Sequence, residues 1–224
     1  MKVKILAATA EHAVFAERIC NMILESAKQR GTGIASRTPE YIAQKMRDGK
    51  AVVAIDTDLN RAVGFSYIET WGHGKFVANS GLIVDPEYRN MGLAYKIKQR
   101  IFNLSREKYP NARIFGITTG QAVMKINSAL GYVPVTFAEL TDDQEFWQGC
   151  KGCRNYDILE RTNHRMCLCT GMLYDPEKHK TLWDKSLDFI RKHNTRAQRT
   201  RFRWWMRSRK QKQRKLVRFG KGKK

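Results

Sequence analysis

A chain of 224 residues that is 42% hydrophobic and 10% aromatic can bury a real core, which argues against wholesale disorder. No apolar run approaches the roughly 20 residues of a membrane-spanning helix, and Met1 to Ala7 alternates charge with apolarity in place of a signal-peptide core, so a cytoplasmic protein with no transmembrane segment is expected. The net charge of +21 is uneven: residues 195–224 hold 14 Lys and Arg and no acid, and without them 28 basic residues face 21 acidic ones, a net +7, so basicity alone does not make the body a nucleic-acid binder.

In chain order, Lys2 to Leu6 alternates like a short strand, and Thr9 caps a helix whose Phe15, Ile19, Met22 and Ile23 recur at helical spacing until Gly31. Thr38-Pro39-Glu40 starts a second helix that ends near Gly49. Ala51 to Ile55 reads as a buried strand, and the turn Asp56 to Asn60 joins it to a strand from Ala62 to Trp71. His73, between Gly72 and Gly74, is a loop histidine, and Lys75 to Val84 is the next strand. Leu93, Ile97, Ile101 and Leu104 mark a helix, Arg113 to Thr118 a strand, Val123, Ile126 and Leu130 a short helix, and Tyr132 to Phe137 a final strand. That order predicts an α/β fold, one mixed sheet with helices on both faces.

Beyond it, Thr141-Asp142-Asp143-Gln144 is a capping pattern ahead of Phe146 and Trp147, cysteines cluster between Cys150 and Cys169, and Asp175-Pro176 opens a last helix carrying Leu182, Trp183, Leu187 and Ile190. The expected division is a catalytic domain over 1–140, a Cys-rich helical extension over 141–194 and a basic, disordered tail over 195–224.

The stretch Ser80 to Ala94 runs strand, turn, helix start. Gly92 and the small Ala94 let a ligand approach the backbone, and the unpaired N–H groups of a new helix carry partial positive charge, a geometry that suits a pyrophosphate. Val84-Asp-Pro-Glu-Tyr-Arg89-Asn-Met-Gly92-Leu-Ala94 resembles motif A of the GNAT acyltransferases, and Ala129-Leu130-Gly131-Tyr132 resembles that family's Leu-Gly-aromatic ending of a later helix. The resemblance covers roughly Lys2 to Phe137. It implies an acyl-CoA, acetyl-CoA or succinyl-CoA, lying in a V between the strand through Leu82, Ile83 and Val84 and the strand from Arg113 to Thr118. It further implies that backbone N–H groups of Arg89, Asn90, Met91, Gly92, Leu93 and Ala94 hold the pyrophosphate, and that the Leu82 N–H polarises the thioester carbonyl. Fixed dipoles of this kind stabilise an oxyanion without reorganising.

The family's acid-base side chains do not transfer. Ala78-Asn79-Ser80 stands where many relatives carry a Glu, Gly120 where an Asn is common, and Asn127 takes the place of a tyrosine acid. An ammonium acceptor must still lose a proton, and Glu69, on the neighbouring strand, is the candidate base, directly or through water, with an exposed strand carboxylate as the alternative. Arg30 and Arg37, bordering the segment that flanks the acceptor in GNATs, are shaped to grip carboxylates, unless they are simply solvated. Arg30-Gly-Thr-Gly-Ile-Ala35, Val77 to Val84, Asn155 to Leu159 and Met166 to Thr170 resemble a bacterial GNAT subgroup associated with arginine biosynthesis, which implies glutamate as the acceptor.

Cys150-Lys-Gly-Cys153 and Cys167-Leu-Cys169, with His164 between, are spaced for a structural zinc, or else are reduced cysteines packed as small apolar groups or a redox pair; Cys20 reads as core. Phe202, Trp204, Trp205 and Phe219 among the cations of the tail suit nucleic acid or an anionic membrane surface, against a plain solvated extension. Two rival functions remain at this point: a protein or ribosome-associated acetyltransferase docked by its tail, and a non-catalytic protein that binds CoA and nucleic acid.

Overall fold

The computed structural model describes residues 2–30 and 37–179, with the backbone alone at residue 30. Its first strand, β1, spans Val3–Ala7. Thr9 does begin a helical segment, its N–H bonded to His12 Nδ1 at 3.0 Å, but the first turns are a 3-10 helix over Ala10–Phe15 and the α-helix α1 follows at Ala16–Arg30. Helix α2 (Pro39–Arg47) is capped as its sequence predicts: the Thr38 hydroxyl accepts from the Tyr41 N–H at 3.2 Å and Pro39 fills a position that needs no donor.

Strands β2 (Ala51–Asp56), β3 (Arg61–Trp71) and β4 (Phe76–Val84) form an antiparallel meander that continues from β1. Every residue of β2 is buried, because helices cover both faces of the sheet. On one face Val53, Phe65, Tyr67 and Ile83 pack with Ile19, Ile23, Ile42 and Met46 of α1 and α2. On the other, Val52, Ala54, Val63 and Val77 meet Ile97, Ile101 and Leu104 of α3 (Leu93–Lys108). The period-2 alternation of the strands divides these two cores.

Strand β5 (Arg113–Thr118) lies parallel to β4, and α4 (Gln121–Ala129) leads to β6 (Val133–Val135). The expected final strand is not the last. After α5 (Gln144–Gln148) and α6 (Tyr156–Arg161), β7 (Thr170–Tyr174) inserts between β5 and β6, giving the order β1-β2-β3-β4-β5-β7-β6. The sheet therefore runs past residue 140, and the compact unit extends from Met1 to Glu177. The segment between β6 and β7 is tied to it by an apolar cluster in which Phe137, Leu140, Trp147 and Leu159 pack against Phe115 and Leu173. The Trp147 indole donates to Thr141 O at 2.9 Å. No helix among the described residues is long and apolar enough to cross a membrane. The last expected helix, apart from its start near Asp175, and the basic tail over 195–224 lie outside the described residues.

Candidate active site

The donor side is made by two irregularities in β4. Its register against β3 moves from Tyr67↔Ser80 to Phe65↔Ile83, so one extra residue bulges at Gly81 and Leu82. Gly81 has φ +63°, and a Cβ there would collide with the Tyr67 ring, so glycine is the residue that fits. Strand β4 then leaves its parallel partner. The two are paired only over Phe76–Ala78 with Arg113–Phe115, and beyond Ala78 the sheet opens into a V.

At the wide end of the V the chain turns into α3. The turn is held from below: Tyr88 is buried and its hydroxyl donates to Asp56, while Asp85 pairs with Arg18 at 2.6 Å and accepts from Glu87 N–H at 3.1 Å. Asn90 (φ 62°) and Gly92 (φ 72°) both take left-handed conformations, with Gly92 as the N-cap. The first intrahelical bond is Lys96 N–H to Gly92 O at 3.2 Å, so the N–H groups of Leu93, Ala94 and Tyr95 leave the helix end unpaired along it. Apart from its chain neighbours, none of the described residues lies within 4 Å of the space a Gly92 side chain would take. An open helix N-terminus at the mouth of a cleft is the arrangement that binds a phosphate.

On the opposite face, between β3 and α2, stands a cluster around Glu69, which is 8% exposed. One carboxylate oxygen accepts from the Tyr41 hydroxyl; the other accepts from the Ser80 hydroxyl at 2.7 Å. The Arg37 guanidinium lies 3.7 Å from Glu69 and donates through Nε to the Tyr67 hydroxyl at 2.7 Å. The Arg37 guanidinium and the Lys45 ammonium both sit against the Tyr41 ring, 5.3 and 4.8 Å from its centroid, and each is 5.9 Å from that of Tyr67. Burial raises the Tyr41 phenol, as does its bond to Glu69, so it stays protonated and donates. Burial lowers the Lys45 ammonium, against the pull of Glu69. Ser80 ties this cluster to the bulged strand two residues before Leu82. Of the residues expected here from sequence, Glu69 and Arg37 come together. The side chain of Arg30 lies outside the described residues. Tyr41, Lys45, Tyr67 and Ser80 are additions from the structure.

No protein-family model matches the sequence, and no curated protein sequence matches it either. Solved structures do. N-acetylglutamate synthase from Neisseria gonorrhoeae, complexed with coenzyme A and N-acetyl-glutamate, aligns with a TM-score of 0.55 at 15% identity, over 78% of this chain and 35% of that one. The present chain thus spans about a third of that synthase. A Mycobacterium tuberculosis protein in complex with CoA aligns with a TM-score of 0.55 at 15% identity, over 77% of this chain and 98% of that one. A GNAT superfamily phosphinothricin acetyltransferase from Sinorhizobium meliloti, in complex with acetyl-CoA, gives 0.53 at 13% identity, over 78% and 89%. The chain has the GNAT fold.

Within that GNAT frame the remaining sequence candidates fall elsewhere. Asn127 is 1% exposed near the end of α4, its carbonyl accepting from Leu130 and Tyr132 N–H at 3.0 and 3.1 Å, and its buried Oδ1 finds no hydrogen-bond partner among the described residues. It makes no contact with the Glu69 cluster among the interactions of the described residues. Nearby in the same layer a polar network crosses from β4 to α3: Asn79 donates to Ser105 Oγ at 2.7 Å and accepts from the Tyr132 hydroxyl at 3.0 Å. Lys98, 2% exposed, donates to Asn79 O at 3.4 Å, and burial lowers its pKa to about 7. His73 (φ 55°) occupies a turn, as expected.

Four cysteines border the apolar cluster or the turn beside it. Cys150, Cys167 and Cys169 pack against the apolar cluster of Trp147 and Leu159, and Cys153 N–H bonds Cys150 O at 2.8 Å in a tight turn. Burial, reinforced by the neighbouring thiols, pushes Cys150 to about 11 and Cys169 to about 12, the protonated state. Among the described residues no three His, Cys, Asp or Glu side chains are set to hold a metal ion. Cys153 and Cys167 lie near enough to Cys150 and Cys169 to raise their thiols, so the four sulfurs share one patch beside the apolar cluster. Cys20 packs at the edge of the α1 core, and burial raises its thiol.

Proposed function

We propose that the protein is an N-acyltransferase that moves an acyl group, acetyl or succinyl, from CoA to the amine of a small amino acid, glutamate in arginine biosynthesis. The observation that carries the reading is the opening of β4 from β5 between an unobstructed helix N-terminus at Gly92 and a buried carboxylate at Glu69. The solved structures with this fold that hold CoA or acetyl-CoA support the donor, and the likeness to N-acetylglutamate synthase supports an amino-acid acceptor.

In this reading the backbone N–H groups of Asn90 to Ala94 receive the pyrophosphate, the Arg89 N–H being held by Pro86 O at 3.3 Å, Ile83 and Val84 flank the pantetheine, and the Leu82 N–H receives the thioester oxygen. Arg37 takes a carboxylate of the acceptor. Glu69 removes a proton from the acceptor ammonium, displacing one of its two hydroxyl donors as it does so. The free amine forms the C–N bond, and the tetrahedral oxyanion rests on the Leu82 N–H. The attacking nitrogen gives its second proton to solvent, collapse breaks the C–S bond and expels the CoA thiolate, and the thiolate takes a proton from solvent because Asn127 has no acidic one to give. Holding amine and thioester together supplies much of the rate, so weak acid help is tolerable.

Calorimetric titration with CoA tests the donor half. Wild type binds; Gly92→Glu, which sets a carboxylate beside the pyrophosphate, does not. Gly92→Ala shares the strain of a positive φ without the charge and retains measurable binding. Wild-type affinity in Gly92→Glu would remove the turn from the mechanism.

A further inference from the structure

Lys45 is a cation that the proposed chemistry does not use. It is half-buried on α2, and among the described residues it forms no ion pair, its nearest partners being the faces of two tyrosines. A lysine stem held over aromatic rings is costly in side-chain entropy, and its ammonium gains little from ring faces compared with a carboxylate. The position is set by local geometry. Lys45 follows Tyr41 by four residues, so both rise from one face of α2, and Tyr67 and Glu69 alternate onto one face of β3. The two elements bring Lys45, Arg37 and Glu69 around the same pair of rings.

Among the described residues the charged groups around these rings are two cations and one carboxylate. The other groups near Lys45, Lys50 and Asp48, oppose each other. An α-amino dicarboxylic acid carries the complement: two carboxylates and one ammonium. A monocarboxylic amino acid would leave one cation without an anion in a half-buried site.

We propose that Lys45 reads the second carboxylate of the acceptor, Arg37 holding the first and Glu69 facing the ammonium, so that Lys45 restricts the enzyme to acidic amino acids. This rests on the acyltransferase reading above and deepens it. The three-point contact fixes the amine relative to the V, since each charged group of the ligand has one partner of opposite sign. A rigid guanidinium suits the carboxylate beside the amine, where geometry must be held, and a flexible ammonium suits the one at the end of a side chain.

The test compares glutamate with glutamine, which matches it in shape but lacks the second charge. Wild type, Lys45→Met and Lys45→Arg are assayed with each acceptor at saturating acyl-CoA, and CoA affinity is measured in parallel as a control for folding. Wild type favours glutamate in kcat/KM, and Lys45→Met lowers that preference about 10- to 100-fold, the worth of one charge-assisted hydrogen bond, mainly through the KM for glutamate. Lys45→Arg restores most of it. A glutamate preference that survives in Lys45→Met, or a wild type that favours glutamine, overturns the role of Lys45 while leaving the acyltransferase intact. If wild type acylates neither amino acid with either donor, the functional reading falls and takes this one with it.

Discussion

Glu69 shows how a single residue is read correctly in kind but incompletely in context. Its place late on a strand next to the phosphate turn made it the candidate base, yet nothing in the spacing announced that Tyr41 and Ser80 would both donate to it. Those bonds hold the carboxylate in one orientation and leave a donor to be exchanged for the acceptor ammonium. Glu69→Gln keeps the shape and loses the basicity, so kcat should fall by roughly 100-fold at neutral pH with CoA affinity retained. An unchanged pH–rate profile in that variant would place the base elsewhere. Lys98 is the other residue whose environment decides its behaviour. A folded-state pKa near 7, well below that of an exposed lysine, means that the unfolded chain binds more protons between about pH 7 and 10, so stability rises with pH across that window and is lowest at its acid end. Lys98→Met should therefore stabilise the protein most at pH 6, with the advantage shrinking by pH 9. Urea midpoints at the two pH values check this; a pH-independent difference would mean that the amine is charged throughout.

At the scale of elements, β4 does most to build the site. Its bulge rests on Gly81, where a positive φ and the underlying Tyr67 ring exclude a side chain. Gly81→Val should cost about 2–4 kcal/mol from backbone strain and overpacking combined, read as a lower urea midpoint, and should also disturb Ser80 and its bond to Glu69. A variant of wild-type stability would show that the bulge tolerates rearrangement. The elements themselves were legible where local rules dominate. Thr38 and Pro39 announced α2, the Ile97–Ile101–Leu104 stripe announced α3, and Arg113 to Thr118 proved to be β5. What local rules do not encode is how α2 lies against β3, and the Tyr41, Lys45 and Tyr67 part of the site depends on that contact. A helix pair four residues apart and a strand pair two residues apart were visible, but their meeting is tertiary.

At the scale of the whole molecule the sheet carries one strand, β7, beyond those its sequence pattern announces. Thr170 to Tyr174 is short and follows a run of cysteines whose spacing suits a metal site, and it falls within the extension expected over 141–194. Trp147 and Leu159 of that stretch pack in one cluster with Phe115 of β5 and Leu173 of β7. Trp147→Ala should destabilise the protein by about 3–5 kcal/mol, as expected for emptying an aromatic core site, whereas removal of divalent metal by a chelator should leave the melting temperature unchanged. A chelator-induced drop would place a metal among the four cysteines. Product analysis by mass spectrometry, after incubation with acetyl-CoA or succinyl-CoA and a panel of amino acids, tests whether the molecule is an acyltransferase. An N-acylated amino acid formed in step with free CoA thiol, abolished by Gly92→Glu and strongly reduced by Glu69→Gln, is the predicted result; CoA binding with no N-acyl product from any donor and acceptor pair would contradict it.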